Sequence, residues 1–168
     1  MPPDDLAGTL PLDEVVPYIR WHIARLARSA FALGFAFDMV AFESCLWQAK
    51  GAIRKSVGMS ATSREFRVRV DLSHNGQLQT TWAALPPLAE RVGLIWAETR
   101  VSRDDPLLRH KTSARTVYDA AIEQAMAQQA FDAIFCNEQG EVCEGARSNL
   151  FVREGQRLLT PPVRCGLL

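Results

Sequence analysis

The chain has 168 residues and carries 19 basic against 19 acidic side chains, so its formal net charge is zero. With 48% hydrophobic residues it can bury the core of one ordinary domain or two small ones, while the balanced charge argues against a nucleic-acid arm or a membrane-surface patch. No apolar run approaches the roughly 20 residues that cross a bilayer, and the Met-Pro-Pro-Asp-Asp start is acidic where a signal peptide is basic and then apolar, so a cytoplasmic location is expected.

Residues 1–12 hold three prolines and a glycine and read as an irregular lead-in. A helix is expected from Glu14 to Leu33, with the apolar stripe Ile19, Ile23, Leu26, Ala30, Leu33. Asp13 suits its N-cap and Gly34 its C-terminal stop, with Pro17 tolerated in the first turn. A polar line, Tyr18, His22, Arg25, Ser29, runs beside that stripe and reads first as a solvated flank. A second helix is expected over Asp38–Ser56, ending before Gly58, with Met39, Phe42, Leu46, Ala49 and Ile53 turned to the core and packed against the first helix.

Phe66, Val68, Val70 and Leu72 alternate with Arg67, Arg69 and Asp71, which marks a half-buried strand. A two-residue Asn75-Gly76 loop would mismatch the apolar faces of the hairpin. A three-residue loop, His74-Asn75-Gly76, pairs Leu72 with Leu78, Val68 with Trp82 and Phe66 with Ala84, and puts Gly76 in the left-handed region. Pro86-Pro87 ends the second strand, and another strand is expected over Val92–Ala97. Residues 99–110, TRVSRDDPLLRH, read as a connection. Thr112 or Ser113 would cap an alanine-rich helix running to Gln129. Short strands should follow at Phe131–Cys136, Glu141–Glu144, Asn149–Val152 and Arg157–Thr160, with turns at 137–140 and at Glu154-Gly155. The four cysteines, Cys45, Cys136, Cys143 and Cys165, form no C-x-x-C pair; they read as buried small hydrophobes, and no metal site is expected.

There are three lysines against 16 arginines. Lys50 and Lys55 fall near a helix C-terminus, where cations suit the dipole. Lys111 falls just before the expected helix start, amid Arg109, His110 and Arg115. Helix dipole and like charge would both favour its neutral amine, the form that Schiff-base chemistry needs. Glu144, in EGARSN, is a carboxylate that could hold a protonated pyridine nitrogen. Taken singly, each also reads as an ordinary surface residue.

DPLLRHKTSARTVYD (105–119), NEQGEVCEGARSNLFV (137–152) and LLTPPVRCGLL (158–168) together resemble the class IV, fold-type-IV pyridoxal-phosphate enzymes. HIARLARSAFALGFAFD (22–38) is similar to the first-domain helix of that family, and the resemblance spans about residues 9–168. Within it the chain most resembles the 4-amino-4-deoxychorismate lyases found as the C-terminal half of fused para-aminobenzoate synthases.

The resemblance implies that Lys111 carries pyridoxal 5'-phosphate and moves the substrate proton. Glu144 would pair with the pyridine nitrogen, Arg25 would contact the phosphate and Asn149 would support the cofactor loop. Arg115 and Tyr118 would line the substrate pocket. The implied reaction eliminates pyruvate to leave 4-aminobenzoate, a step of folate biosynthesis. An aminotransferase acting on D- or branched-chain amino acids shares the first half of that chemistry, and a non-catalytic fragment is a third reading. A homodimer with a small-molecule substrate is expected, with association with a para-aminobenzoate synthase component as a further expectation.

The expected fold class is α/β (α+β) in two parts. A helix pair on an antiparallel sheet would occupy 1–98, 99–110 would connect, and 111–168 would begin an incomplete barrel-like β domain. Relatives of this kind carry strands before the first helix and a phosphate-binding glycine turn after the GLL segment. By that comparison the chain looks shortened at both ends, and weak cofactor binding is expected.

Overall fold

The computed structural model of the chain describes residues 12–57 and 65–167; the expected lead-in and Gly58 lie outside these. The chain divides into two compact units, Met1–Pro87 and Leu88–Leu168.

In the first unit the order is α1 (Leu12–Val15), α2 (Ile19–Leu33), α3 (Met39–Val57), β1 (Phe66–Leu72) and β2 (Leu78–Ala84). The single helix expected from Glu14 to Leu33 is two. Pro17 offers no N–H and its ring crowds the preceding turn, so α1 stops at Val15 and the chain restarts through Tyr18 at φ 60. Asp13 therefore falls inside α1 and is not the cap of the long helix. At the other end Gly34 adopts φ 73, and the N–H groups of Gly34 and Phe35 reach the Phe31 and Ala30 carbonyls. That is the left-handed glycine closure the sequence suggested. Asp38 caps α3, its Oδ1 accepting from Val40 N at 2.8 Å and Ala41 N at 3.1 Å.

The hairpin has the expected register: Leu72 faces Leu78, Val68 faces Trp82 and Phe66 faces Ala84. Gly76 has φ 86, and its N–H bonds the Ser73 carbonyl at 2.9 Å to close the loop. Ile19 of α2, with Phe42 and Leu46 of α3, forms the buried centre, and Val68, Val70 and Leu78 of the sheet pack on it. Burying a side chain of this size is worth about 2 kcal/mol. Ala49 is also buried, whereas Met39 at the head of the same stripe is exposed.

The second unit holds β3 (Leu94–Trp96), α4 (Thr116–Ala127), β4 (Asp132–Cys136), β5 (Val142–Gly145), β6 (Val152–Glu154) and β7 (Arg157–Leu159). Short 3-10 turns lie at Pro106–Arg109 and Val163–Cys165. β4 is the middle strand, parallel to β3 and antiparallel to β5. Flanked on both edges and covered by α4, it buries Asp132, Ala133, Ile134 and Phe135 in succession instead of alternating. Ala121 and Ala125 let α4 approach closely, and Cys143 and Cys165 complete this core, whereas Cys45 and Cys136, also expected to be buried, are only partly so. β6 and β7 form a separate hairpin. Among the described residues the architecture is α+β with three small sheets and no closed barrel.

Candidate active site

The segment before α4 is built from local caps. Asp105 Oδ1 accepts from Leu107 N at 2.8 Å and starts the Pro106–Arg109 turn, which His110 leaves in extended conformation. Thr112 Oγ1 accepts from Ala114 N at 3.3 Å, so it organises a turn and does not cap the helix. The helix begins at Thr116, with Arg115 in the N-cap position and no side-chain cap bond. Lys111 thus lies outside the first turn, and the dipole argument made for it loses its geometric footing.

A cavity of about 350 Å³ lies against this segment, within the size range of small-ligand sites. Lys111, Arg115, Tyr118 and Glu144 all line it, together with Arg100 and His110. Tyr118 O–H donates to Glu144 Oε1 at 3.2 Å. The Tyr118 ring stacks on the fully buried Phe135 at 4.8 Å and lies under the Arg115 guanidinium at 5.2 Å. Arg115 Nη2 donates to the Ala146 carbonyl at 2.6 Å, and its Nε lies 3.5 Å from Asp119 Oδ1. Burial pushes the Tyr118 phenol well above its ordinary value, the Glu144 carboxylate adds to that, and Arg115 opposes it. The phenol therefore stays a hydrogen-bond donor across the working pH range.

Glu144 is reached through the turn that follows it. Gly145 N–H donates to the Ser148 carbonyl at 2.9 Å and Ala146 N–H to the Ala133 carbonyl at 2.9 Å. Asn149, beyond this turn, is exposed and does not line the cavity. Arg25 belongs to the first unit, on α2, where it is half-buried and its Nη2 lies 3.2 Å from His22 Nδ1. Of its polar line, Tyr18 and His22 are exposed while Ser29 is buried, so the flank is not uniformly solvated.

Two polar residues are fully buried: Asn137, read from the sequence only as part of a turn, and Asp132, which sequence reasoning passed over. Asn137 Oδ1 accepts from Gln139 N and Glu141 N at 3.0 and 2.9 Å, and its Nδ2 donates to Glu141 Oε2 and the Cys165 carbonyl at 2.8 and 3.2 Å. Asp132, at the start of β4, accepts from the Gly145–Ser148 turn. The available signal was an acid placed where an apolar strand pattern wants a hydrophobe.

The sequence profile of class IV amino-transferases matches residues 12–168. The chain belongs to the class IV aminotransferase family. Several solved structures are similar to it. A protein designated an amino-acid aminotransferase from Mesorhizobium loti is 36% identical, with a TM-score of 0.76 over 89% of this chain and 69% of its own. A Legionella pneumophila protein designated a 4-amino-4-deoxychorismate lyase is 27% identical, with a TM-score of 0.69 over 90% of this chain. A branched-chain aminotransferase from Thermoproteus uzoniensis, solved with norvaline, is 26% identical, with a TM-score of 0.63 over 89% of this chain. The chain spans 59% and 54% of the length of the last two. A hypothetical Mycobacterium tuberculosis aminotransferase in its pyridoxal-phosphate-bound form shares the fold at 21% identity and a TM-score of 0.71, over 89% of this chain and 58% of its own. A search of curated proteins found no match. The family resemblance read from the sequence and the α+β fold class are both borne out. Class IV relatives similar to this chain include both aminotransferases and lyases. No helix among the described residues is long and apolar enough to cross a membrane.

Proposed function

We propose that this class IV chain uses pyridoxal 5'-phosphate to act on 4-amino-4-deoxychorismate, releasing pyruvate and leaving 4-aminobenzoate. The observation that carries the reading is one cavity lined by an amine, a carboxylate, a guanidinium and a phenol, from Lys111, Glu144, Arg115 and Tyr118. That donor set fits the cofactor: an amine to hold its aldehyde carbon and a carboxylate to hold a protonated ring nitrogen. When bound, the cofactor supplies an electron sink for charge left on the substrate carbon. Once the substrate's amine has displaced it from the aldehyde carbon, Lys111 Nζ would be free to take the proton from the substrate carbon. Glu144 holds the proton on the ring nitrogen, and Tyr118 O–H keeps the carboxylate aimed. Arg115 attracts a substrate carboxylate. Arg25 is assigned to the phosphate and Asn149 to support of the cofactor loop, both on the family resemblance. A homodimer in the cytoplasm, in association with a para-aminobenzoate synthase component, completes the proposal.

A second reading, transfer of an amino group from D- or branched-chain amino acids, draws on the 36% identity to the Mesorhizobium loti amino-acid aminotransferase for the reaction and on the 26% identity to the Thermoproteus uzoniensis enzyme for a branched-chain substrate. Lys111 and Glu144 serve both reactions alike.

The test is to incubate the chain with pyridoxal phosphate, reduce with borohydride and map the modified lysine by mass spectrometry. Only Lys50, Lys55 and Lys111 compete. Stoichiometric label on Lys111 alone is the expected result, and Lys111→Ala should abolish it. Absent label, or label spread over all three, overturns the assignment. A coupled assay for pyruvate and 4-aminobenzoate, run beside one for amino-group transfer, then separates lyase from aminotransferase.

A further inference from the structure

Asp132 is completely buried, yet it lines no part of the cavity. Its Oδ1 accepts from Ala133 N at 2.9 Å. Its Oδ2 accepts from Arg147 N at 3.3 Å and from the Ser148 hydroxyl. A buried carboxylate this well satisfied costs a great deal to desolvate and is strongly tied to what it bonds. What it bonds is the turn between Glu144 and Asn149.

The other contacts of the turn point the same way. Arg147 reaches back, its Nη2 donating to the Phe131 carbonyl and its guanidinium lying 4.2 Å above the Phe131 ring. A Cβ at Gly145 would overlap Asp132 Oδ2 and Ser148 Oγ, so only glycine lets the carboxylate close on the turn. From the far side of the turn, the Ala146 carbonyl receives Arg115. Glu144 immediately precedes it and receives Tyr118. One bracket thus sets two walls of the cavity.

We propose that Asp132 is a positioning residue, which fixes Glu144 and Arg115 at the cavity by locking the Gly145–Ser148 turn. The inference rests on the functional reading above for its purpose, but its geometry can be tested without the cofactor. Asparagine at 132 presents only one oxygen, so its NH2 must face either the Arg147 N–H or the Ala133 N–H, and one of the carboxylate's backbone bonds is lost in either orientation. The lock opens, Glu144 retreats from the Tyr118 hydroxyl, and the phenol ionises more easily.

The experiment uses the cofactor-free chain carrying Tyr18→Phe, in which Tyr118 is the sole tyrosine. The onset of its ultraviolet ionisation is read in fixed pH steps that stop short of alkaline unfolding, with and without Asp132→Asn, alongside a thermal melt at each pH and titration with pyridoxal phosphate. The expected result is an ionisation onset lowered by about half a unit or more and a dissociation constant raised roughly tenfold, the scale of one lost hydrogen bond, with a cooperative melt retained. A folded Asp132→Asn chain with both quantities unmoved overturns the proposal. Gly34→Ala, in the other unit, is the control for lost stability alone; if it moves the phenol equally, the proposal also falls. Should Asp132→Asn fail to fold, Ser148→Ala decides: a smaller shift in the same direction supports the lock, and no shift overturns it. Absent labelling of Lys111 in the unaltered chain would sink the functional reading and leave the phenol result to judge Asp132.

Discussion

Cys143 is 1% exposed, and its thiol is pushed up to about 11. Burial is the main cause; Cys165, Cys136 and Glu144 add to it, and a backbone hydrogen bond opposes it. The unfolded thiol ionises near 9. Between those values the unfolded chain releases a proton that the folded chain keeps, so stability falls as pH rises through that window. Cys143→Ala should flatten the decline of Tm between about pH 9 and 11, which a series of thermal melts will show. Tyr118→Phe tests the neighbouring bond. The ring keeps its stack on Phe135 while the Glu144 contact is lost, so the expected cost is about 1 kcal/mol and denaturant unfolding measures it. Without Tyr118 O–H, affinity for pyridoxal phosphate should also weaken.

At the level of elements, Gly34 closes α2 with φ 73, and a Cβ there would meet only His74, at 4.0 Å. The cost of Gly34→Ala is therefore almost purely backbone strain, about 1 kcal/mol. Gly145→Ala carries a steric overlap instead and should cost more in the same denaturant measurement. Elements governed by local rules were legible in the sequence. The β1–β2 register follows from alternation plus one loop glycine, and both depend on residues close together in the chain. The break at Pro17 was missed because proline in a first turn is allowed; only the left-handed Tyr18 shows that the turn ends there. The start of α4 was placed too early because a threonine before a helical run looks like a cap even when its oxygen serves a turn of its own. Lys111 and Glu144 were singled out through their motifs and both line one cavity, whereas Asp132 was passed over. Its role arises from a turn 15 residues away that no local pattern encodes.

On the scale of the whole molecule, large apolar side chains remain at the surface in both units, among them Trp21 and Phe31 in the first and Trp96, Phe151 and Leu158 in the second. The proposed dimer draws on such surface, and sedimentation should give a mass above the 18.7 kDa of one chain that rises with concentration. A single monomeric species at all concentrations would remove the dimer from the proposal. In the three-stranded sheet β4 pairs with both of the other strands. As the chain leaves the ribosome, β1 and β2 can zip as soon as Ala84 emerges, whereas Leu94–Trp96 must wait for a partner that begins at Asp132. The first unit can therefore mature during synthesis while β3 travels as an open edge, and a pause in translation between Trp96 and Asp132 would prolong its exposure to aggregation.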